Sequence, residues 1–403
     1  MNLVERNPFR ILGLLVGATA REQGRQISRL RNYLEADQLP ESDFSFPILG
    51  DLTRSVKLVD EAAAQLNLDS DKINAALFWF YKGNSITDEP ALEALKEGNL
   101  DEAINIWSKL TANNEVTQRN ASAYSNLSTL YFLNSDNSGV SLFIAKIENA
   151  IIFKLKFLES DFSKDFKTLA TDETFKISKK QLQLNFLNTL FVEIEKNADI
   201  EVQQFIEIIK SEEFTAKDEF LSLLIKKPIE QIEKEIEIAE KELKTNESNG
   251  ISIGKKLINQ VEDNYHLLQS ILDTNSIKFI SISDKIADEI LNCGIGYFNY
   301  FIESEYVYPG VETLELCIQA EKYALGNVVK LRYKENFDII QRSVDRRGDI
   351  SRNKNSSFNF FKNAWWIFAI FGLQVGSIGG TDGSIIGAII GAVVGYKIRN
   401  IKV

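Results

Sequence analysis

From Ala364 to Tyr396 the chain runs 33 residues with one charge, Asp382, and glycine recurs every fourth residue at Gly383, Gly387, Gly391 and Gly395. At about 1.5 Å per residue a single helix of that length would measure roughly 50 Å, far beyond a hydrocarbon core of about 30 Å. Gly379-Gly380-Thr381-Asp382-Gly383 reads as a turn, so the stretch is expected to fold as two antiparallel apolar helices. Gly372 and Gly376 repeat the four-residue spacing on the first arm. Residues four apart share one helix face, so each arm carries a flat stripe where backbones approach closely, as association in lipid requires. In water each interior glycine costs roughly 0.5–1 kcal/mol relative to alanine. The sequence thus predicts a membrane hairpin over 364–403, carried by Trp365, Trp366, Gly372, Gly376, Gly383, Gly387, Gly391 and Gly395.

Charge points the same way. Arg342, Arg346, Arg347, Arg352, Lys354 and Lys362 precede the hairpin, Lys397, Arg399 and Lys402 follow it, and the turn has no basic residue. The positive-inside rule puts both ends in the cytoplasm, with Trp365 and Trp366 at the interface. From Arg342 onward nine Lys/Arg stand against three Asp/Glu, so the tail carries +6 and the rest of a chain of net charge -11 carries -17. So acidic a body argues against nucleic acid as partner. The pattern resembles the glycine-zipper hairpins of small bacterial membrane proteins. Each arm offers only about 15–18 residues, the short edge for spanning, so a re-entrant hairpin, conditional insertion and a protein seam stay open beside a constitutive anchor.

The rest of the chain has ordinary globular composition, 44% hydrophobic and 26% charged, and its 6 prolines favour long helices over loop-rich sheets. Cys293 and Cys317 lie far apart in helical context, so no disulfide framework is indicated. The start, Met1 to Pro8, has no apolar signal-peptide core. A cytoplasmic body is expected.

Asn7-Pro8-Phe9-Arg10-Ile11-Leu12-Gly13-Leu14 is followed by Thr19, a good N-cap, and Glu22 three residues on, which completes a capping box. Ile27, Leu30 and Leu34 then mark one face of a helix. These first 40 or so residues resemble the opening of a J-domain, the co-chaperone module. Glu35-Ala36-Asp37 stands where that family carries His-Pro-Asp, and the one histidine of the chain is His266. Stimulation of a heat-shock ATPase is therefore not implied. The run Ile73 to Tyr81, with Phe78, Trp79 and Phe80, is too aromatic for a solvent face and reads as a helix buried on several sides.

Ala91 to Ile104 resembles the middle of a tetratricopeptide repeat, with Gly98-Asn99 as the turn between two helices. Tyr124, Asn126 and Tyr131 look like the first helix of a next repeat, offset by about 37 residues against a usual 34, and are the candidate partner-binding residues. Val140 to Glu213 reads as long amphipathic helix, and Pro228 as the first turn of another. Ile229, Ile232, Ile236, Ala239 and Leu243 form an apolar stripe that serves either core packing or a coiled coil with a second chain. Thr245 to Gly250 reads as a turn, and Ile253–Leu272, Ile280–Phe301 and Val311–Val344 as further helices, with Pro309-Gly310 between the last two.

The expected fold is all-α. It comprises a J-domain-like helical domain over 1–85, a tetratricopeptide-like domain over 86–227, an amphipathic or coiled-coil domain over 228–345, a basic linker over 346–363 and the hairpin over 364–403. No zinc-ligand spacing, phosphate-binding GxxxxGK[ST] run or Gly-x-Ser-x-Gly elbow occurs. No catalytic, cofactor or metal residues are assigned. The function expected from sequence is a non-enzymatic, inner-membrane-anchored adaptor for unidentified proteins. It would bind lipid through 364–396 and could form homo-oligomers through the hairpin or the 229–243 stripe. The runner-up is a pore-forming effector, and a co-chaperone-like adaptor stands third.

Overall fold

The computed structural model describes residues 2–38, 43–133, 140–196, 202–302 and 308–352. Among them secondary structure is helical apart from one isolated parallel bridge, Val16 to Tyr81. In chain order the helices are α1 Asn2–Glu5, α2 Pro8–Leu12, α3 Ala20–Glu35, α4 Val56–Gln65, α5 Asp69–Ala76, α6 Ser85–Lys96, α7 Leu100–Thr111, α8 Ala121–Leu133 and α9 Val140–Glu159. They continue with α10 Phe162–Ala170, α11 Lys179–Ile194, α12 Val202–Ser211, α13 Lys217–Thr245, α14 Gly250–Ile271, α15 Ile277–Phe301, α16 Gly310–Glu321 and α17 Asn327–Arg352. The described residues divide into two compact units, one lying within 1–242 and 255–289, the other within 243–254 and 290–352.

In the first unit the opening motif acts through its polar atoms. The Asn7 side chain accepts from the Phe9 amide, which starts α2, and donates to the Ala75 carbonyl at 2.8 Å. Gly13, at φ 66, closes α2 in the left-handed region. Arg10 is buried, yet its guanidinium donates to the carbonyls of Glu5, Ser45, Leu49 and Gly50, which fixes the loop after α3. Behind it Arg54 and Asp43 form a buried ion pair at 3.0 Å. The Thr19–Glu22 capping box is present, as the sequence predicts.

The aromatic run departs from expectation. It is buried, but α5 stops at Ala76, and Phe80 and Tyr81 run extended. The reason is hydrogen bonding at long range. Trp79 Nε1 donates to the Leu14 carbonyl at 2.7 Å, the Val16 amide to the Phe80 carbonyl, and Asn126 takes both the amide and the carbonyl of Tyr81.

Helix α8 is buried on nearly every side, with Ala121 through Leu130 all inside. A helix so placed needs small or apolar residues all round, and its hydroxyls are bonded internally: Ser128 Oγ donates to the Ala150 carbonyl and Thr129 Oγ1 to that of Ser125. Helix α9 packs along it. Helices α6 and α7 pair across the Gly98-Asn99 turn, where Gly98 has φ 83 and Asn99 caps α7 by accepting from the Glu102 amide.

The expected long helix over Val140–Glu213 is four helices, α9 to α12. Pro228 lies inside the 29-residue α13 rather than at its start. A proline there forfeits one backbone hydrogen bond, but buried Phe220 and Ile225 before it and Ile232 and Ile236 after it keep one helical stripe in the core. Ile232, Ile236 and Ala239 are buried within this chain. Ion pairs Lys285–Glu233 and Lys256–Glu242 flank them. The expected oligomer seam and coiled coil over 229–243 are therefore corrected to internal packing.

In the second unit α16 and α17 pack as a pair. The single helix expected over Val311–Val344 is broken at Lys322–Gly326, where Tyr323 and Ala324 turn inward. Gly254 lies against Leu316 and Cys293, and Gly310 against Val344 and Tyr308.

Among the described residues no helix is long and apolar enough to cross a membrane. That finding overturns the membrane-anchored adaptor, the pore-forming alternative, lipid as a partner and the inner-membrane location with both termini cytoplasmic. The physical reason lies in the helices themselves, in which Glu and Lys interrupt every long apolar stripe, as in α13. The segment that carried the expectation, 364–396 with Trp365, Trp366, Gly372, Gly376, Gly383, Gly387, Gly391 and Gly395, lies outside the described residues.

Candidate anion-binding site

Tyr124, Asn126 and Tyr131, the partner-binding candidates from sequence, lie together on α8 but face inward or sideways. Tyr124 is fully buried, with its hydroxyl donating to the Thr111 carbonyl. Asn126 is fully buried on the Tyr81 backbone. Tyr131 is half-buried and stacks on Phe153 at 6.0 Å between ring centroids. The helical turns they mark build the core of the first unit.

A different cluster offers an open recess. A cavity of about 750 Å³ lies between α10, the loop 171–177 and the first turn of α11, lined by Ser163, Lys164, Lys167, Lys176, Ser178 and Lys179 among its polar residues. Phe175, Ile177 and Leu182 give it an apolar wall, and Asp161 is the one carboxylate of its lining. Four lysines against one aspartate make the lining +3, in a chain of net charge -11.

The local sequence explains the recess. Helix α10 ends at Ala170 and the backbone must turn before Ser178 caps α11. Asp172 drives that turn: its carboxylate accepts from the Thr174 amide and hydroxyl and from the Phe175 amide. The side-chain hydrogen bond from Thr174 is foremost in holding that carboxyl below its usual range. Lys167 then ties the loop to α10. It is 8% exposed, and its Nζ donates to the carbonyls of Asp172 at 3.1 Å and Phe175 at 2.8 Å.

The four ammonium groups differ in their partners. Lys179 Nζ donates to the Glu159 carbonyl and pairs with the carboxylates of Glu159 and Asp161 at 3.6 and 3.8 Å. Glu159 is itself fixed, accepting from Gln183 and from Thr215. Burial pushes its carboxyl up, but those hydrogen bonds and Lys179 outweigh burial and hold it below the usual range. Lys167 donates to carbonyls while its charge also acts on the Asp172 carboxylate, and Lys176 donates to the Glu173 carbonyl. Lys164 is exposed. Among the described residues none of these three forms an ion pair with a carboxylate.

The start of α11 adds donors. Ser178 Oγ accepts from the Gln181 amide, and the Leu182 amide bonds to the Ser178 carbonyl. The amides of Lys179 and Lys180 are the first-turn groups for which helix geometry supplies no internal acceptor. Such a helix start favours anions through both its N–H groups and its dipole. The recess, with one apolar wall and several polar groups, has a volume within the range of small-molecule pockets.

Sequence reasoning did not find this cluster. The sequence singles out none of these lysines, and Val140–Glu213 reads there as long amphipathic helix. Two local signals stood in view, the turn-rich Thr171-Asp172-Glu173-Thr174 and the N-cap Ser178.

Among the described residues no group of His, Cys, Asp and Glu could hold a metal ion. Comparison with known proteins found no matching family model, curated protein or solved structure.

Proposed function

We propose that this protein is a non-catalytic helical binding module that holds its ligand through an anionic group seated in the cavity between α10 and α11. One observation carries the proposal: three of the cavity's ammonium groups, on Lys164, Lys167 and Lys176, form no ion pair with a carboxylate among the described residues. An acidic chain that gathers lysines in one recess gains from an anion there, and the gain is greatest at the buried Lys167, since a desolvated charge is costly until it is paired. The absence of catalysis belongs to the same proposal. Both serines of the lining serve helix ends, Ser163 by donating to the Ser160 carbonyl and Ser178 by capping α11, so neither is offered as a nucleophile.

The finer architecture is part of the proposal too. We read α6 and α7, with the left-handed Gly98 between them, as one tetratricopeptide-like pair, and 1–85 as a J-domain-like segment without His-Pro-Asp. In this reading both are scaffold around the cavity.

The test is calorimetric titration of the full chain with sulfate and with inorganic phosphate at low ionic strength. Saturable binding, weakened about tenfold in the double variant Lys164→Ala/Lys176→Ala and suppressed by added salt, is expected. Binding that the double variant leaves unchanged would place the anion elsewhere and sink the proposal.

A further inference from the structure

We infer that the ligand of this cavity is a phosphomonoester with a flat apolar body, of small-molecule size. The inference rests on the anion-binding function proposed above and narrows it.

Charge comes first. The lining is +3 and includes one carboxylate, Asp161, which is fully exposed and shared with Lys179. Removing the Lys179–Asp161 pair from that sum leaves Lys164, Lys167 and Lys176, of which Lys167 already acts on the Asp172 carboxylate. A monoanion would leave at least one of the remaining ammonium groups without a counterion. A phosphomonoester near neutral pH carries about -1.5 to -2 and comes closest to balancing them.

Donor geometry comes second. The lining donors belong to three separate pieces of chain: Lys164 and Lys167 on α10, Lys176 on the loop, and Lys179 at the start of α11. Donors drawn from three pieces of chain suit the three free oxygens of a tetrahedral phosphate. A planar carboxylate offers two oxygens in one plane and is best met by the fork of an arginine. No arginine lines the cavity. Lysines act here as point charges that suit phosphate.

Size and wall come third. The recess measures about 750 Å³, far more than a bare phosphate fills and inside the range of about 300–1,000 Å³ typical of organic ligands. Its apolar residues are Phe175, Ile177 and Leu182, on the loop and the first turn of α11, adjoining the cationic end. An aromatic side chain at half exposure offers a face for a flat apolar group. Phe175 is also tied to the cationic end, because its carbonyl accepts from Lys167 Nζ and its amide donates to Asp172. Phe175 of the apolar wall is thus held on the loop to which the buried Lys167 ammonium donates.

The probe is phenyl phosphate, set against inorganic phosphate and benzoate by calorimetry on the full chain at fixed pH and ionic strength. Phenyl phosphate is expected to bind about tenfold more tightly than either of the other two. The variant Phe175→Ala is expected to bring phenyl phosphate down to the affinity of inorganic phosphate while leaving inorganic phosphate unchanged. Lys164→Ala/Lys176→Ala, both at exposed positions, is expected to weaken both phosphates and is safe for folding. If benzoate matches phenyl phosphate, or if Phe175→Ala changes nothing, the phosphomonoester is overturned while the anion-binding function stands. If none of the three probes binds, both fall together.

Discussion

Lys154 Nζ donates to Ser125 Oγ at 2.8 Å and to the Ser125 carbonyl at 3.1 Å, deep between α8 and α9, with no ion pair among the described residues. Burial lowers its pKa to about 7 from an ordinary value of 10.5. Between those values the unfolded chain binds the proton more strongly than the folded one, so stability rises as pH rises from about 7 toward 10.5. The destabilising charge is fully present below the folded pKa. Urea unfolding at several pH values should show a gain on the order of 1 kcal/mol per pH unit across that window from this group. Lys154→Met should raise stability at pH 7 and remove that part of the slope. An unchanged slope in the variant would refute the assignment.

Asn126, fully buried, satisfies both the amide and the carbonyl of Tyr81. Asn126→Ala leaves two buried backbone groups without partners, at about 1–3 kcal/mol each. A loss of roughly 2–6 kcal/mol is expected in denaturant unfolding. Tyr131→Ala, at a half-buried ring stacked on Phe153, should cost clearly less.

Two glycines should respond in opposite directions to the same change. Gly24 sits inside α3 with no atom within 4 Å of an added Cβ, so Gly24→Ala should stabilise by roughly 0.5–1 kcal/mol. Gly98 has φ 83 at the turn between α6 and α7. Gly98→Ala should destabilise by about 1–2 kcal/mol, although Ile48 alone comes near, at 3.7 Å. Thermal unfolding of the two variants side by side measures both.

Cys293 and Cys317 are buried, and burial pushes the Cys317 thiol up to about 12. The thiolate is the reactive form. Alkylation at neutral pH should therefore be negligible in the native protein and become complete on adding denaturant. Rapid native labelling at Cys317 would show that its surroundings open on the time scale of the reaction.

What the sequence revealed and what it hid divide along physical lines. Local chemistry was legible: the Thr19–Glu22 box needs one helical turn, and Gly98-Asn99 needs two residues, and both stand as expected. The all-helical class was legible from apolar spacing. The ends of Leu77–Tyr81 were not, because residues 14, 16 and 126 decide that backbone and none is a sequence neighbour. Pro228 misled for the same reason, since burial on both sides of it outweighs one lost hydrogen bond. The candidate site was hidden twice over. Its lysines resemble any solvated helix face, and Lys167 differs only in being folded inward onto the Asp172 and Phe175 carbonyls.

The grip on Tyr81 has a consequence for biosynthesis. Trp79 looks back 65 residues to Leu14, whereas Tyr81 must wait for Asn126, 45 residues further along. At a synthesis rate of about 5–20 residues per second that wait lasts roughly 2–9 s. Throughout it Trp79, Phe80 and Tyr81 are outside or leaving the ribosome without the helix that later covers them. Long-range closure of this kind slows folding and leaves apolar surface bare in the nascent chain. The interval between those two residues is thus the stage of synthesis at which the Trp79–Tyr81 run exists without the partner that fixes its end.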